Sequence, residues 1–159
     1  MSMSQIREDR AKITAEVFTP DKLVNKMLAK LPPEVWRKNK TFLDQTCGNG
    51  NFLIWILLRK IRKGHSPLDA LKSVYGADIM RDNIRECRLR LLKVIELFTT
   101  VTEEHIKVVF QNIVWINQNK FPTGSLAYDF SFANKARKED IERWMKYISH
   151  QKICIDIFL

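Results

Sequence analysis

The sequence is poor in the residues that mark several classes of protein. It has only three cysteines, Cys47, Cys87 and Cys154, which are odd in number and far apart. Zinc sites and disulfide frameworks use closely spaced or paired cysteines, so we expect reduced thiols and no bound metal. No apolar run approaches the roughly 20 residues of a membrane-spanning helix, and the polar N-terminus lacks a hydrophobic signal segment. The sequence therefore predicts a cytoplasmic protein with no membrane span.

Acidic residues are also scarce relative to basic ones. The chain has 18 Asp and Glu against 27 Lys and Arg, a formal net charge of +9. Such an excess favours a polyanionic partner such as nucleic acid, because contacts to phosphates release counterions. The basic residues cluster at 59–63, 81–90 and 135–138. Each cluster equally fits the solvated face of a helix, so the clusters do not identify a binding face.

The stretch from Thr41 to Leu53 organises the chain. It predicts a short strand ending at Asp44, a turn through Gly48 and Gly50, and an apolar helix. A strand that turns through glycines into a helix gathers free backbone N–H groups at a positive helix end. In nucleotide-binding units of this kind, an acidic residue at the end of the next strand takes the ribose hydroxyls. Asp78 has that position here, although two glycines alone also fit an ordinary turn.

The remaining hydrophobic pattern alternates helices with strands. At 159 residues the chain has room for one domain, assigned to residues 16–159, after residues 1–15 that form either a helix or a flexible arm. The sequence predicts an α/β fold with a mostly parallel sheet wrapped by helices. Helices are predicted over 20–31 with Thr19 as cap, over 52–61, as a short helix that starts at Pro67 with Ser66 as cap, over 81–97 with its arginines outward, and over 138–147. Strands are predicted over 42–44, 73–79, 106–110, 126–134 and 153–159.

Three segments occur in an informative order: Phe18-Thr19-Pro20, then the glycine stretch 44–52, then Gly76-Ala77-Asp78-Ile79. This order resembles the S-adenosylmethionine-binding half of amino-group DNA methyltransferases, particularly the adenine-N6 type. The resemblance implies a Rossmann-like methyltransferase fold with helices on both faces of the sheet, incomplete at its C-terminus, and S-adenosylmethionine as cofactor. The implied cofactor contacts are Phe18, Thr19, Pro20, Asp44, Cys47, Gly48, Gly50, Asp78, Ile79 and Asn112. Asn112, at the end of the predicted third strand, fits either an adenine contact or a plain turn residue.

The catalytic motif of that family is only partly present. In the family a strand ends with Asn-Pro-Pro-Tyr or a close variant. The asparagine and the first proline's carbonyl accept hydrogen bonds from the target amino group, while the aromatic ring stacks on the flipped base. Here the motif falls on Asn134-Lys135-Ala136-Arg137, which keeps the asparagine but has neither proline nor aromatic. Asn134 is the candidate catalytic residue.

The resemblance leaves three hypotheses for function. The first is methyl transfer to the N6 amino group of adenine in DNA, as in restriction-modification. The second is a cofactor-binding or DNA-binding relative without catalysis that acts as a partner or regulator. The third is a methyltransferase acting on RNA or protein. DNA is the expected macromolecular partner. The resemblance leaves three alternatives for target recognition: it is minimal, supplied by a partner protein, or lost.

Overall fold

The computed structural model describes residues 18–116 and 136–150, together with residues 2, 4–6, 8 and 9. This part of the chain has an α/β fold with a small parallel sheet. Its elements are α1 (Asp21–Leu28), a 3-10 turn (Pro33–Trp36), β1 (Phe42–Asp44), α2 (Asn51–Arg62), α3 (Pro67–Lys72), β2 (Val74–Asp78), α4 (Arg81–Glu96), α5 (Glu103–Asn112), β3 (Ile113–Trp115) and α6 (Lys138–His150). None of the helices in these residues is long and apolar enough to cross a membrane.

The three strands lie in the order β1-β2-β3 and all run parallel. Asp44 is opposite Gly76, and Gly76 is opposite Ile113. Beyond the last pair, the Ile116 N–H donates to the Asp78 carbonyl at 2.9 Å. Because parallel strands end at the same edge of a sheet, Asp44 and Asp78 lie at one edge, as the sequence predicts.

Helix α2 lies at the centre of the core because it is apolar on almost all sides. Leu53, Ile54 and Leu57 are fully buried because α2 contacts α1, α3, α4 and β2. A helix that is apolar almost all round needs cover on several sides, which these neighbours provide. The helix ends at Arg62, and Gly64 just beyond it has a φ of +96°, the left-handed conformation that commonly follows the end of a helix.

One charged side chain is fully buried in this core. Lys60 is 0% exposed, and its Nζ donates hydrogen bonds of 2.6 Å to the Lys40 carbonyl and to Ser73 Oγ. The ammonium also lies 5.2 Å from the centroid of the Phe42 ring. Burial lowers the pKa of Lys60 because the charged form loses its hydration. These contacts connect α2 to the residues that precede β1 and β2.

The described helices cover one face of the sheet. Val74 and Ile113 belong to the main hydrophobic cluster, which includes buried residues of the helices. Ala77, Val114 and Ile116 form a second, smaller cluster that contains residues of β2 and β3 and the residue after β3. Helical cover of the second face therefore stays a prediction.

Several local signals are confirmed. Ser66 Oγ accepts a hydrogen bond of 3.1 Å from the Asp69 N–H, and Pro67 is the first residue of α3. Helix α6 occupies the predicted position, and its Trp144 packs edge-on against Phe110 at a centroid distance of 5.1 Å. The helix over 20–31 is shorter than predicted: it starts at Asp21 after Pro20 and ends at Leu28, without a side-chain cap.

The predicted third strand over 106–110 is wrong. These residues belong to helix α5, and the third strand is Ile113–Trp115. The β-branched run favours a strand locally, but Thr102 starts a helix, with its N–H donating to His105 Nδ1 at 3.0 Å. Ile106 and Val109 are fully buried among α3, α4, β2 and α6, so tertiary packing overrides local propensity. The strands predicted over 126–134 and 153–159 lie outside the described residues.

Candidate functional site

A tight glycine turn joins β1 to α2 and forms one wall of the candidate site. The Cys47 N–H donates to the Ala77 carbonyl at 2.9 Å, which fixes the turn against β2. The Gly50 N–H donates back to the Cys47 carbonyl at 2.8 Å. Gly48 and Gly50 have φ values of +53° and +91°, which L side chains adopt at a cost. The glycines are therefore required by the backbone, as the sequence predicts.

Asp78 ties this turn to the start of helix α4. Its Oδ2 accepts a hydrogen bond of 3.0 Å from the Gly48 N–H, and its Oδ1 accepts one of 2.7 Å from the Met80 N–H. A carboxylate has about four acceptor positions, so each oxygen retains capacity for a further donor. Beside it, the Ile79 side chain is 45% exposed, while the Ile79 carbonyl accepts a hydrogen bond from Trp115 Nε1 at 2.8 Å.

Asp44 lies at the same edge of the sheet, and the charge of Asp78 affects the pKa of its carboxyl group. Its Oδ1 accepts a hydrogen bond of 3.1 Å from the Thr46 N–H. Burial raises the pKa of the Asp44 carboxyl above its ordinary value, and the negative charge of Asp78 raises it further; the Thr46 hydrogen bond opposes both. Two carboxylates thus share one partly buried edge of the sheet, which is unfavourable when both are ionised.

We expect the Asp44→Asn variant to be more stable than the wild type at pH 7. Since the pKa of Asp44 in the folded protein is raised above its ordinary value of 3.8, ionised Asp44 destabilises the fold at neutral pH. That penalty disappears as the pH falls through the folded pKa to below 3.8, where Asp44 is protonated in both states. Asparagine retains an oxygen for the Thr46 N–H without the charge. Urea unfolding at pH 7 and below pH 3.8 checks this; equal stability of the two proteins at pH 7 would contradict it.

The Phe18-Thr19-Pro20 segment lies against the glycine turn. Asn51 Nδ2 donates a hydrogen bond of 2.7 Å to the Thr19 carbonyl. A Cβ atom on Gly48 would lie 3.0 Å from the Phe18 ring, so the ring covers the turn. Pro20 follows at the start of α1. The segment and the turn are thus neighbours across 32 residues of sequence.

Two residues that sequence reasoning missed hold this arrangement together. Asn51 Oδ1 accepts a hydrogen bond of 2.6 Å from Arg90 Nη1, which also donates to the Asn49 carbonyl at 3.0 Å. Asn51 carried a weak signal as the first helical residue after Gly50. Arg90 carried none, because it lies on α4, far away in the sequence.

The side chains of two predicted cofactor contacts, Cys47 and Asn112, lie away from the candidate site. Cys47 is 5% exposed, and its side chain lies inside, beside Gly76 and Cys87. The neighbouring Cys87 thiol, together with burial, raises the pKa of the Cys47 thiol, so it stays protonated. Only its backbone belongs to the turn.

Asn112 is at the wrong end of the sheet for a cofactor contact. It ends helix α5 rather than a strand, and its Nδ2 donates hydrogen bonds of 3.2 Å to the carbonyls of Lys72 and Val74. Val74 starts β2 and Asp78 ends it, four residues or about 13 Å further along. The prediction for Asn112 followed from the misplaced third strand and is wrong.

The structure thus brings seven predicted residues to one edge of the sheet: Phe18, Thr19, Asp44, Gly48, Gly50, Asp78 and Ile79. Asn134 lies outside the described residues. Within the described part, no three Cys, His, Asp or Glu side chains are arranged to hold a metal ion. Neither a protein-family profile, nor a curated protein sequence, nor a solved structure was found to match the chain.

Proposed function

We propose that this chain binds S-adenosylmethionine beside the glycine turn, within a Rossmann-like methyltransferase fold. The observation that carries the proposal is that two carboxylates, Asp44 and Asp78, end neighbouring parallel strands at one edge of the sheet. Ligands of open α/β sheets bind outside the carboxyl ends of the strands. The positive-φ glycines allow the backbone to approach such a ligand closely.

The charge of the site favours a cationic nucleoside over a nucleotide. Asp78 raises the pKa of Asp44, so the two carboxylates interact. Among the described residues, neither carboxylate forms an ion pair with Lys or Arg. S-adenosylmethionine has a positive sulfonium and a positive ammonium group, which both carboxylates attract. The phosphates of a dinucleotide would instead meet two negative charges, and like charges in contact are strongly unfavourable.

Five of the predicted residues then have roles that suit their surroundings. Asp78 accepts hydrogen bonds from the ribose hydroxyls with its remaining acceptor positions. The exposed side chain of Ile79 packs against the adenine. Phe18, Thr19 and Pro20 close the methionine end, as the resemblance implies. When bound, the cofactor supplies an electrophilic methyl group, and the chain's own residues bind and orient it.

We propose the N6 amino group of adenine in DNA as the methyl acceptor, with Asn134 accepting its hydrogen bond. One observation favours a second candidate, a binding protein without turnover. Arg137 stands where the family has its base-stacking aromatic, and its Nε donates to Asp140 Oδ2 at 3.1 Å. A guanidinium engaged in this ion pair is poorly placed to stack on a flipped base.

The cofactor site is tested by calorimetric titration of the full chain with S-adenosylmethionine. We expect Asp78→Ala to weaken binding by about 5- to 150-fold, because it removes charge-assisted hydrogen bonds worth about 1–3 kcal/mol. Asp44→Ala is expected to weaken binding as well, through loss of the second negative charge. Asp69→Ala is the matched control, since this exposed carboxylate lies on α3. ATP is the ligand control and should not bind.

Two results would refute the site. One is unchanged affinity in a folded Asp78→Ala variant, and the other is tight binding of ATP. If the cofactor binds, a labelled-methyl assay with DNA, RNA and protein substrates separates the two candidate functions. Labelled DNA supports the enzyme, and binding without product on any substrate supports the non-catalytic relative.

A further inference from the structure

A second concave site lies at the β3 side of the sheet, between α4 and α6. It is a cleft of about 770 Å³, within the size range of ligand sites in proteins. Its walls contain five arginines and one acidic residue, with three aromatic rings between them. The five arginines are Arg81, Arg85, Arg88, Arg137 and Arg143. No other role has been assigned to this strongly basic surface.

The arginines of the cleft are not equivalent. Arg88 is 8% exposed and donates hydrogen bonds to the carbonyls of Ile113 and Phe110, so it is part of the framework. Arg81 is exposed and lies 4.2 Å over the Trp115 ring, which orients its guanidinium at the rim. Arg85, one turn further along α4, is also exposed.

The α6 wall adds two arginines that share one carboxylate. Asp140 accepts a hydrogen bond from Arg137 Nε at 3.1 Å and lies 3.8 Å from Arg143 Nη1. The two arginine side chains are 76% and 73% exposed, whereas that of Asp140 is 18% exposed. One carboxylate orients two guanidinium groups without neutralising both, so the wall keeps a net positive charge.

We propose that this cleft binds the phosphodiester backbone of DNA. Guanidinium groups bind phosphates through two parallel hydrogen bonds, and here two are pre-oriented by Asp140 and one by Trp115. The aromatic rings are already engaged, with Trp115 under Arg81 and Trp144 edge-on against Phe110. The cleft therefore offers phosphate contacts rather than base stacking, and such contacts position DNA without reading its sequence.

The cleft adjoins the proposed cofactor site, which makes DNA the appropriate polyanion. Trp115 Nε1 donates to the Ile79 carbonyl, and Arg81 follows Asp78 by three residues. A backbone held by Arg81 would thus run beside the cofactor crevice. The choice of DNA over other polyanions rests on the proposed function, whereas the anion site rests on the arginines.

The test is the salt dependence of DNA binding by the full chain, measured without cofactor by fluorescence anisotropy on a short labelled duplex. Each phosphate contact contributes about 0.9 to the slope of log Kd against log salt concentration. We expect Arg85→Gln/Arg143→Gln to lower that slope by roughly 2 and to weaken binding equally on unrelated duplexes. Arg37→Gln/Arg62→Gln is the matched control, because it removes the same charge from exposed positions outside the cleft. The control should keep the wild-type slope.

The possible results separate this proposal from the cofactor site. A reduced slope in the cleft variant alone supports the cleft, whether or not S-adenosylmethionine binds. An equal reduction in both double variants would mean diffuse attraction and overturn the proposal, as would a wild-type chain that does not bind DNA. Equal binding of polyglutamate would assign the surface to an acidic protein and also overturn it. Urea unfolding confirms that both double variants remain folded.

Discussion

Replacing Gly50 with alanine is expected to destabilise the fold by about 2–5 kcal/mol. Two penalties add at this position. Its φ of +91° is left-handed, which costs an L residue about 1–2 kcal/mol. A Cβ atom there would lie 2.7 Å from Cys87 Sγ and 3.5 Å from the Cys87 Cα. Because the backbone of α4 limits how far Cys87 can yield, overpacking adds about 1–3 kcal/mol.

The chain contains a matched control for the first penalty. Gly64 has nearly the same φ, +96°, but a Cβ atom there would meet nothing within 4 Å. Gly64→Ala should therefore cost only the backbone strain, about 1–2 kcal/mol. The free energies of unfolding of the two variants are measured in urea, and their difference gives the energetic cost of the clash with Cys87. Combining Gly50→Ala with Cys87→Ala should recover part of that difference, since it removes the closest atom.

Equal losses in Gly50→Ala and Gly64→Ala would show that helix α4 does not press on the turn. A turn held between β2 and α4 has its backbone conformation fixed before any ligand arrives, which reduces the entropic cost of binding. In this chain, the packing of Gly50 against Cys87 and the bond from Gly48 to Asp78 fix the same turn from two sides.

The parts of the fold that could be predicted have strong local signals. The glycines after Asp44 and the Ser66-Pro67 start of α3 each specify their backbone by steric or hydrogen-bonding rules within a few residues. Helix α5 could not be predicted from the run 106–110, because β-branched residues fit a strand or a buried helix equally well. Its surroundings, which come from distant parts of the chain, decide between the two.

In the candidate site, too, features set by local signals could be predicted and contacts between distant residues could not. Asp44 and Asp78 could be placed together because the ends of parallel strands meet at one edge. The bond from Arg90 to Asn51 could not be foreseen, because it joins side chains 39 residues apart. The largest error of this kind concerns Arg88, which helical periodicity placed on the solvent side of α4 and which is only 8% exposed.

Arg88→Ala is expected to cost about 3–5 kcal/mol, because Arg88 satisfies the backbone where α5 meets β3. Its Nε and Nη2 donate to the Ile113 carbonyl at 2.9 and 2.7 Å, and Nη2 also donates to the Phe110 carbonyl at 3.3 Å. Alanine would leave both acceptors without these donors, at about 1–3 kcal/mol each, and a cavity beside the Phe110 ring. Burial lowers the pKa of Arg88 to about 10, so the guanidinium is still charged at neutral pH.

Two variants make the role of Arg88 testable by urea unfolding at neutral pH. Arg88→Lys should lose about 1–3 kcal/mol, since a single ammonium cannot reproduce the fork that spans both carbonyls. Arg85→Ala removes the same charge three residues earlier, from an exposed position, and should change stability by less than about 0.5 kcal/mol. A similar small loss in Arg88→Ala would mean that these carbonyls are satisfied by other groups. The expected contrast would distinguish Arg88, which supports the structure of the cleft, from the exposed arginines that are available to bind a phosphate.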